Sequence, residues 1–356
     1  MRSRHLLFSS AFITASLACG ANPKPSGELG DDAAIPGDGA VPGPPVTDAG
    51  TFVDASPAIE AGNFNALSVT GSDDVWIAAD DGVVHVTAAT ATLALSGTAT
   101  SYYGIWAYSP TSVWAVGEYP GESTYMGVVQ HWDGQTWTDE SAQVPGSFYF
   151  YGVWGSGPSD VWAVGNVVVS GGLAASIFHN DGSGWKSSLV EGSLQDFSGI
   201  WGSGPSDVWA TGFGAIYHFD GTSWKLAGPS STTYSVFGRI WGAGPDDAWA
   251  TASPPQSPST SLFHWNGTAW SVGYTPPPSL AVGNVWEASP SDVWVVGALM
   301  ESDANSATTG TTLHFDGTTW STVPSGASVN NLNAVGGSSP SNVWVVGDRG
   351  TLLHLE

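Results

Sequence analysis

Cysteine, positive charge and long apolar runs are all scarce in this 356-residue chain. Cys19 is the single cysteine, so an intramolecular disulfide, a cysteine metal cluster and a redox pair are excluded. Seven Lys and Arg stand against 31 Asp and Glu, giving a formal net charge of -24. Beyond position 60 the only basic residues are Lys186, Lys225, Arg239 and Arg349. A surface this acidic does not neutralise phosphates, so neither nucleic acid nor an anionic membrane surface is an expected partner. The charge reads as solubility outside the cell, with cation or sugar binding as the alternative. After the first residues, no apolar stretch approaches the roughly 18 residues that cross a bilayer as a helix. Familiar catalytic signatures are also missing: no Gly-x-Ser-x-Gly elbow, no phosphate loop, no His-Glu-x-x-His and no cysteine nucleophile.

The N-terminal region carries address information. Arg2 and Arg4 form a basic start, Leu6 to Leu17 is apolar, and Ser16-Leu17-Ala18-Cys19-Gly20 follows. The segment resembles a bacterial lipoprotein signal, with residues 1–19 the signal peptide and Cys19 the lipidated anchor. Ser16 departs from the leucine usual at that place, and an ordinary signal cleaved near Ala18 is the rival reading. Gly20 after the cysteine is similar to the outer-membrane sorting pattern of Gram-negative lipoproteins. Residues 20–49 are rich in Pro, Gly, Ala and Asp and hold almost nothing large and apolar. Such a stretch cannot offset the entropy of ordering, so it is expected to be a flexible tether.

What the chain has in abundance is glycine, 47 residues, and tryptophan, 19 residues. The tryptophans are periodic. A Val-Trp or Ala-Trp pair recurs with its ring at Trp76, Trp114, Trp162, Trp209, Trp249, Trp294 and Trp344. The spacing of roughly 40 to 50 residues is that of propellers and solenoids. Each unit parses into four short β-branched and aromatic runs. The first holds Trp106, Trp154, Trp201, Trp241 or Trp286. The second holds the anchor tryptophan, the third ends in histidine, and the fourth opens on Trp137, Trp185, Trp224, Trp270 or Trp320. Gly-Pro-Ser-Asp turns join the first two runs, and Asp-Gly or Asn-Gly turns join the last two. No window of helical length shows a 3.6-residue period.

An all-β propeller over residues 50–356 follows, with seven four-stranded blades favoured over six or eight. The last copy stops after its third run, at Leu352 to Glu356, while Thr51-Phe52-Val53-Asp54 precedes the first. The two chain ends are therefore expected to pair and complete one blade.

Chemistry is harder to place. His85, His131, His179, His218, His264, His314 and His354 occupy one repeat position each, on separate blades, and read as structural rather than as a metal cluster. Asp160, Asp207, Asp247 and Asp292 precede the anchor pair and are expected to cap the turn by accepting from its backbone amides. Calcium at these aspartates is the alternative, and otherwise no cofactor is expected. The second-to-third and fourth-to-first connections vary in length and emerge on one face of such a ring, where binding concentrates. Candidate contacts there are Tyr119, Tyr125, Phe148, Tyr149, Tyr234 and Tyr274, with Asp139, Glu140, Glu301 and Asp303 as polar partners.

The phrase Val-Trp-Gly-Ser-Gly-Pro-Ser-Asp-Val-Trp-Ala-Val-Gly at 153–165 and its sister copies resemble tectonin-type β-propeller repeats. They are also similar to Gram-negative repeat lipoproteins carrying Asp-Val-Trp-Ala-Val-Gly. The resemblance covers residues 63–356 and implies a lectin-like binder of surface glycans. The chain lacks the full Ser-x-Asp-x-Gly-x-Thr-Trp box of related propellers and the vicinal cysteines of quinone-dependent dehydrogenases. A non-catalytic envelope lipoprotein, monomeric and binding a glycan or protein, is the expectation. A carbohydrate-active enzyme on the same scaffold is the alternative. Export to the outer membrane, facing either the periplasm or the cell surface, follows from the N-terminal reading.

Overall fold

Short β-branched runs between tight Gly-bearing turns can hydrogen-bond only to their neighbours in sequence, so each repeat folds into its own antiparallel sheet. The computed structural model describes residues 50–96, 100–120, 125–144, 148–170, 172–191, 196–228, 236–254, 260–299, 309–325 and 330–356. The signal peptide with Cys19, the 20–49 tether, Tyr234, Glu301 and Asp303 lie outside them. No α-helix occurs among the described residues.

Seven four-stranded antiparallel sheets make a seven-bladed β-propeller. Blade one begins at Phe64 and blades two to six begin at Ser101, Phe148, Phe197, Val236 and Leu280. In each blade the strands are called a to d, from the axis outward. Blade seven takes strands a to c from Leu332–Ser339, Asn342–Gly347 and Thr351–Leu355, and its strand d is Phe52–Asp54. Phe52 faces Leu355, Val53 faces His354, and Asp54 faces Leu353. Thr51 and Glu356 exchange backbone hydrogen bonds of 3.1 Å on both sides. Phe52–Asp54 thus closes the ring, as the fourth strand missing from the last copy predicts.

The core repeats with the sequence. Every anchor tryptophan stacks on the histidine of its own strand c, with centroids from 3.7 Å for Trp162–His179 to 4.4 Å for Trp249–His264. In five blades the histidine Nε2 in turn meets the strand-b carboxylate, at 2.5 Å for His218–Asp207 and 2.7 Å for His264–Asp247. His354 meets the Asn342 amide instead, and blade two has Ser112 in the carboxylate's place. The turn-capping role expected of these aspartates is therefore corrected. Asp207 also accepts from the Ser203 hydroxyl, so both its oxygens are engaged by side chains. Burial opposes its ionisation, but the His218 and Ser203 bonds prevail and hold the carboxyl below its usual range. Turn capping falls instead to the strand c–d turns: Asp133 accepts from Gln135 and Thr136 amides at 2.8 and 2.7 Å, and Asp316 from Thr318 and Thr319 at 2.8 Å.

Blade-to-blade packing uses the other tryptophans. The strand-a indole of one blade lies against a glycine of the next, and a Cβ on Gly202 would sit 2.7 Å from Trp154. One junction breaks this rule. Glu287 occupies the corresponding place in blade six, buried, with Oε2 accepting from the Ala243 amide at 3.0 Å. Burial and the neighbouring Asp247 charge push its carboxyl up to about 8.

Candidate functional site

Strictly alternating strands send the a–b and c–d turns to one face of the ring and the b–c and d–a connections to the other. Seven of the loop candidates therefore share the variable-loop face, because each lies at a strand end or connection of those two classes: Tyr119, Tyr125, Asp139, Glu140, Phe148, Tyr149 and Tyr274. Tyr119 is exposed, and its hydroxyl donates to Met126 Sδ at 3.2 Å. Asp139 is exposed and accepts from the Ser141 amide at 2.9 Å. Two candidates are more deeply engaged than a loop reading suggests. Tyr274 is buried and stacks on Trp320 at 4.8 Å. Glu140 accepts from Trp185 Nε1 at 3.1 Å, tying blade two to blade three.

A second group on the same face, at the axial mouth, was not singled out by sequence. It is built by the residue after the first buried aromatic or aliphatic of each strand a: Asn65, Tyr103, Tyr151, Ser198, Gly238, Gly283 and Asn333. In three blades this side chain straps the ring, donating to a carbonyl of the next blade. Asn65 reaches Tyr102 O at 2.9 Å, Ser198 reaches Phe237 O at 3.1 Å, and Asn333 reaches Phe64 O at 2.9 Å. Tyrosine replaces the strap in blades two and three. The Tyr103 hydroxyl donates to Glu118 Oε1 at 2.9 Å, and the two tyrosine rings lie 6.1 Å apart.

Electrostatics at this mouth are unusual. Burial raises the pKa of Glu118 and of Asp196. Burial and then the Asp196 and Glu118 charges push Tyr151 up to about 12, so its hydroxyl stays neutral. Below the tyrosines, Arg239 of blade five enters the channel where blades two, three and four have Gly104, Gly152 and Gly199. Its guanidinium donates to Tyr151 O at 2.8 Å, Ser198 O at 3.2 Å and Tyr103 O at 3.4 Å. Burial lowers its pKa, although solvent in the channel still reaches part of the residue. The channel cavity beside it is about 90 Å³, room for a few waters and not for a sugar ring or a peptide. A ligand of that size must lie across the mouth.

The mouth therefore offers two half-buried tyrosines and two carboxyl groups whose pKa values burial raises. These groups suit hydroxylated or amide-bearing ligands. Among the described residues, no three His, Cys, Asp or Glu gather as a metal-holding group. The only non-glycine residue with positive φ among those described, Arg349 at φ 57°, also lies on this face, its amide donating to Asn63 Oδ1 at 2.9 Å.

No protein family and no curated protein matches the chain. Solved structures match in fold. "YCF48 bound to D1 peptide" is 16% identical with a TM-score of 0.61, over 88% of this chain and 98% of that one. A streptogramin B lyase is 12% identical with a TM-score of 0.63, over 86% and 97%. The GH74 xyloglucanase from Xanthomonas campestris is 11% identical with a TM-score of 0.60, over 85% of this chain and 53% of that one. The chain is a β-propeller protein. At these identities the likeness establishes the ring and nothing finer.

Proposed function

We propose that this protein is a non-catalytic exported binder, held to the envelope through Cys19 and engaging a glycan or protein partner across the axial mouth of its variable-loop face. One observation carries the reading: at a position that straps the ring in blades one, four and seven, blades two and three carry tyrosines beside Glu118 and Asp196. A symmetric scaffold has no packing need for that departure. Aromatic faces flanked by carboxyl groups suit pyranose rings and their hydroxyls, and equally an extended peptide with its amides. Structures of like fold include one bound to a peptide and a xyloglucanase, so both ligand classes have precedent on this fold.

The test is binding of the full chain to a glycan array and to a panel of extended peptides. Tyr103→Ala with Tyr151→Ala should lower affinity at least about tenfold, while Tyr119→Ala changes it less. Equal affinity in the double variant would end the assignment to the mouth. A second reading, a carbohydrate-active enzyme, is favoured by Glu118 and Asp196 at one mouth, since burial raises both pKa values, the direction a general acid requires. Polysaccharide turnover abolished by Glu118→Gln would establish it in place of the binder.

A further inference from the structure

Six of the seven blade junctions are closed on the outside by an aromatic ring set edge-on to the neighbouring anchor tryptophan. Trp137 meets Trp76, Trp185 meets Trp114, Trp224 meets Trp162, Trp270 meets Trp209 and Trp320 meets Trp249, at 5.5 to 6.0 Å. Between blades six and seven the closing strand supplies Phe52, 5.6 Å from Trp294 at 89°.

The seventh junction, between blades seven and one, has no such ring. In strand d of blade one, Ala91 pairs with Val86 as Trp137 pairs with Trp132 and Trp224 with Phe219. Alanine stands where the ring belongs. Trp344 keeps its stack on His354 at 4.0 Å, but among the described residues no aromatic edge meets its other side. At this place on the outer wall lies a hollow of about 340 Å³, open to solvent and bounded by Trp344, Val86, Ala91, Pro57 and Asp73.

We propose that this cavity receives the indole ring of a tryptophan presented by a partner polypeptide, docking the partner at the seam where the ring closes. The sister junctions define the occupant, because the same space in the same register is filled by a ring carried on a β-strand. Residues 20–49 do not supply it, since they contain no Phe, Tyr or Trp. Charge agrees. Asp73 at the rim and the net charge of -24 disfavour an anionic occupant, whereas an indole is neutral and brings an N–H donor. The site is on the outer wall and independent of the axial mouth.

The probe is N-acetyl-tryptophanamide titrated into the full chain, followed by calorimetry and by the rise in melting temperature. Saturable one-to-one binding is expected, with N-acetyl-leucinamide at least about tenfold weaker. Ala91→Trp should raise the melting temperature by itself and abolish binding. Ala91→Phe, matching the smaller ring of Phe52, is the second variant should the larger one fail to fold, and should weaken binding strongly. The proposal is overturned by absence of saturable binding, by equal binding of the leucine amide, or by binding unchanged in both variants. Binding of free indole without the amide would replace the polypeptide partner by a small aromatic molecule.

Discussion

The two faces of the ring are made by the same strands and differ in what they conserve from blade to blade. On the short-turn side, anchor tryptophan, histidine and carboxylate repeat so closely that His85, His179, His218, His264 and His314 all meet the equivalent aspartate. On the variable-loop side each blade is different, and the strap position holds Asn, Tyr, Ser or Gly. The difference teaches where the physical demands lie. Every blade must grip its neighbours, so the gripping half is uniform. On the loop half the ties between blades differ from junction to junction, so departures there are freer to serve binding.

That contrast can be broken most severely at the closure. Deleting residues 49–58 removes Phe52 from beneath Trp294 and leaves strand c of blade seven unpaired. Losing one buried aromatic alone costs about 3–5 kcal/mol, so thermal melting should show a large fall; an unchanged melting temperature would refute closure by this strand. Next in size, Asp207→Ala should cost on the order of 2 kcal/mol in denaturant unfolding, because it strands a half-buried histidine and a serine hydroxyl. Since Asp207 is held below the usual carboxylate range, its contribution is present at neutral pH and disappears as acid titrates the folded carboxyl.

Glu287 sharpens the comparison from the opposite direction, as an irregularity on the uniform half. Burial pushes its folded carboxyl up to about 8 from the 4.5 of an ordinary glutamate, so the folded state holds a proton that the unfolded chain releases. Stability from this group is therefore greatest at low pH and declines as pH rises through the window from 4.5 to about 8. Glu287→Gln should flatten that decline and raise stability at pH 8 by on the order of 2 kcal/mol. Melting curves from pH 5 to 8 measure it, and parallel curves for the two proteins would refute it. The smallest effect is expected on the loop half, where Tyr119→Ala should change stability by no more than about 0.5 kcal/mol.

Much of the uniform half was legible in the sequence. The Asp-Gly turns, the recurring Val-Trp pairs and the truncated last copy predicted seven blades and their closure by residues near Phe52, and the sheets pair in that way. The site was legible only in outline. Loop length pointed to the strand ends of the variable-loop face, but Tyr274 proved buried and Glu140 proved a tie to Trp185, because aromatic and acidic character does not tell which way a side chain turns. Tyr103 and Tyr151 carried a signal that could have found them. The two tyrosines depart from the Asn, Ser or Gly of their repeat column, yet they lie inside strands already assigned to the core.

Periodicity, turn chemistry and the register of tryptophan were settled by the sequence alone, because each acts between residues close along the chain. Closing the circle brought together positions from different repeats. Only then did a tyrosine pair gather at the axis, Arg239 reach three carbonyls across the channel, and Ala91 and Trp344 border one hollow. Those are distances between blades. No single repeat contains them.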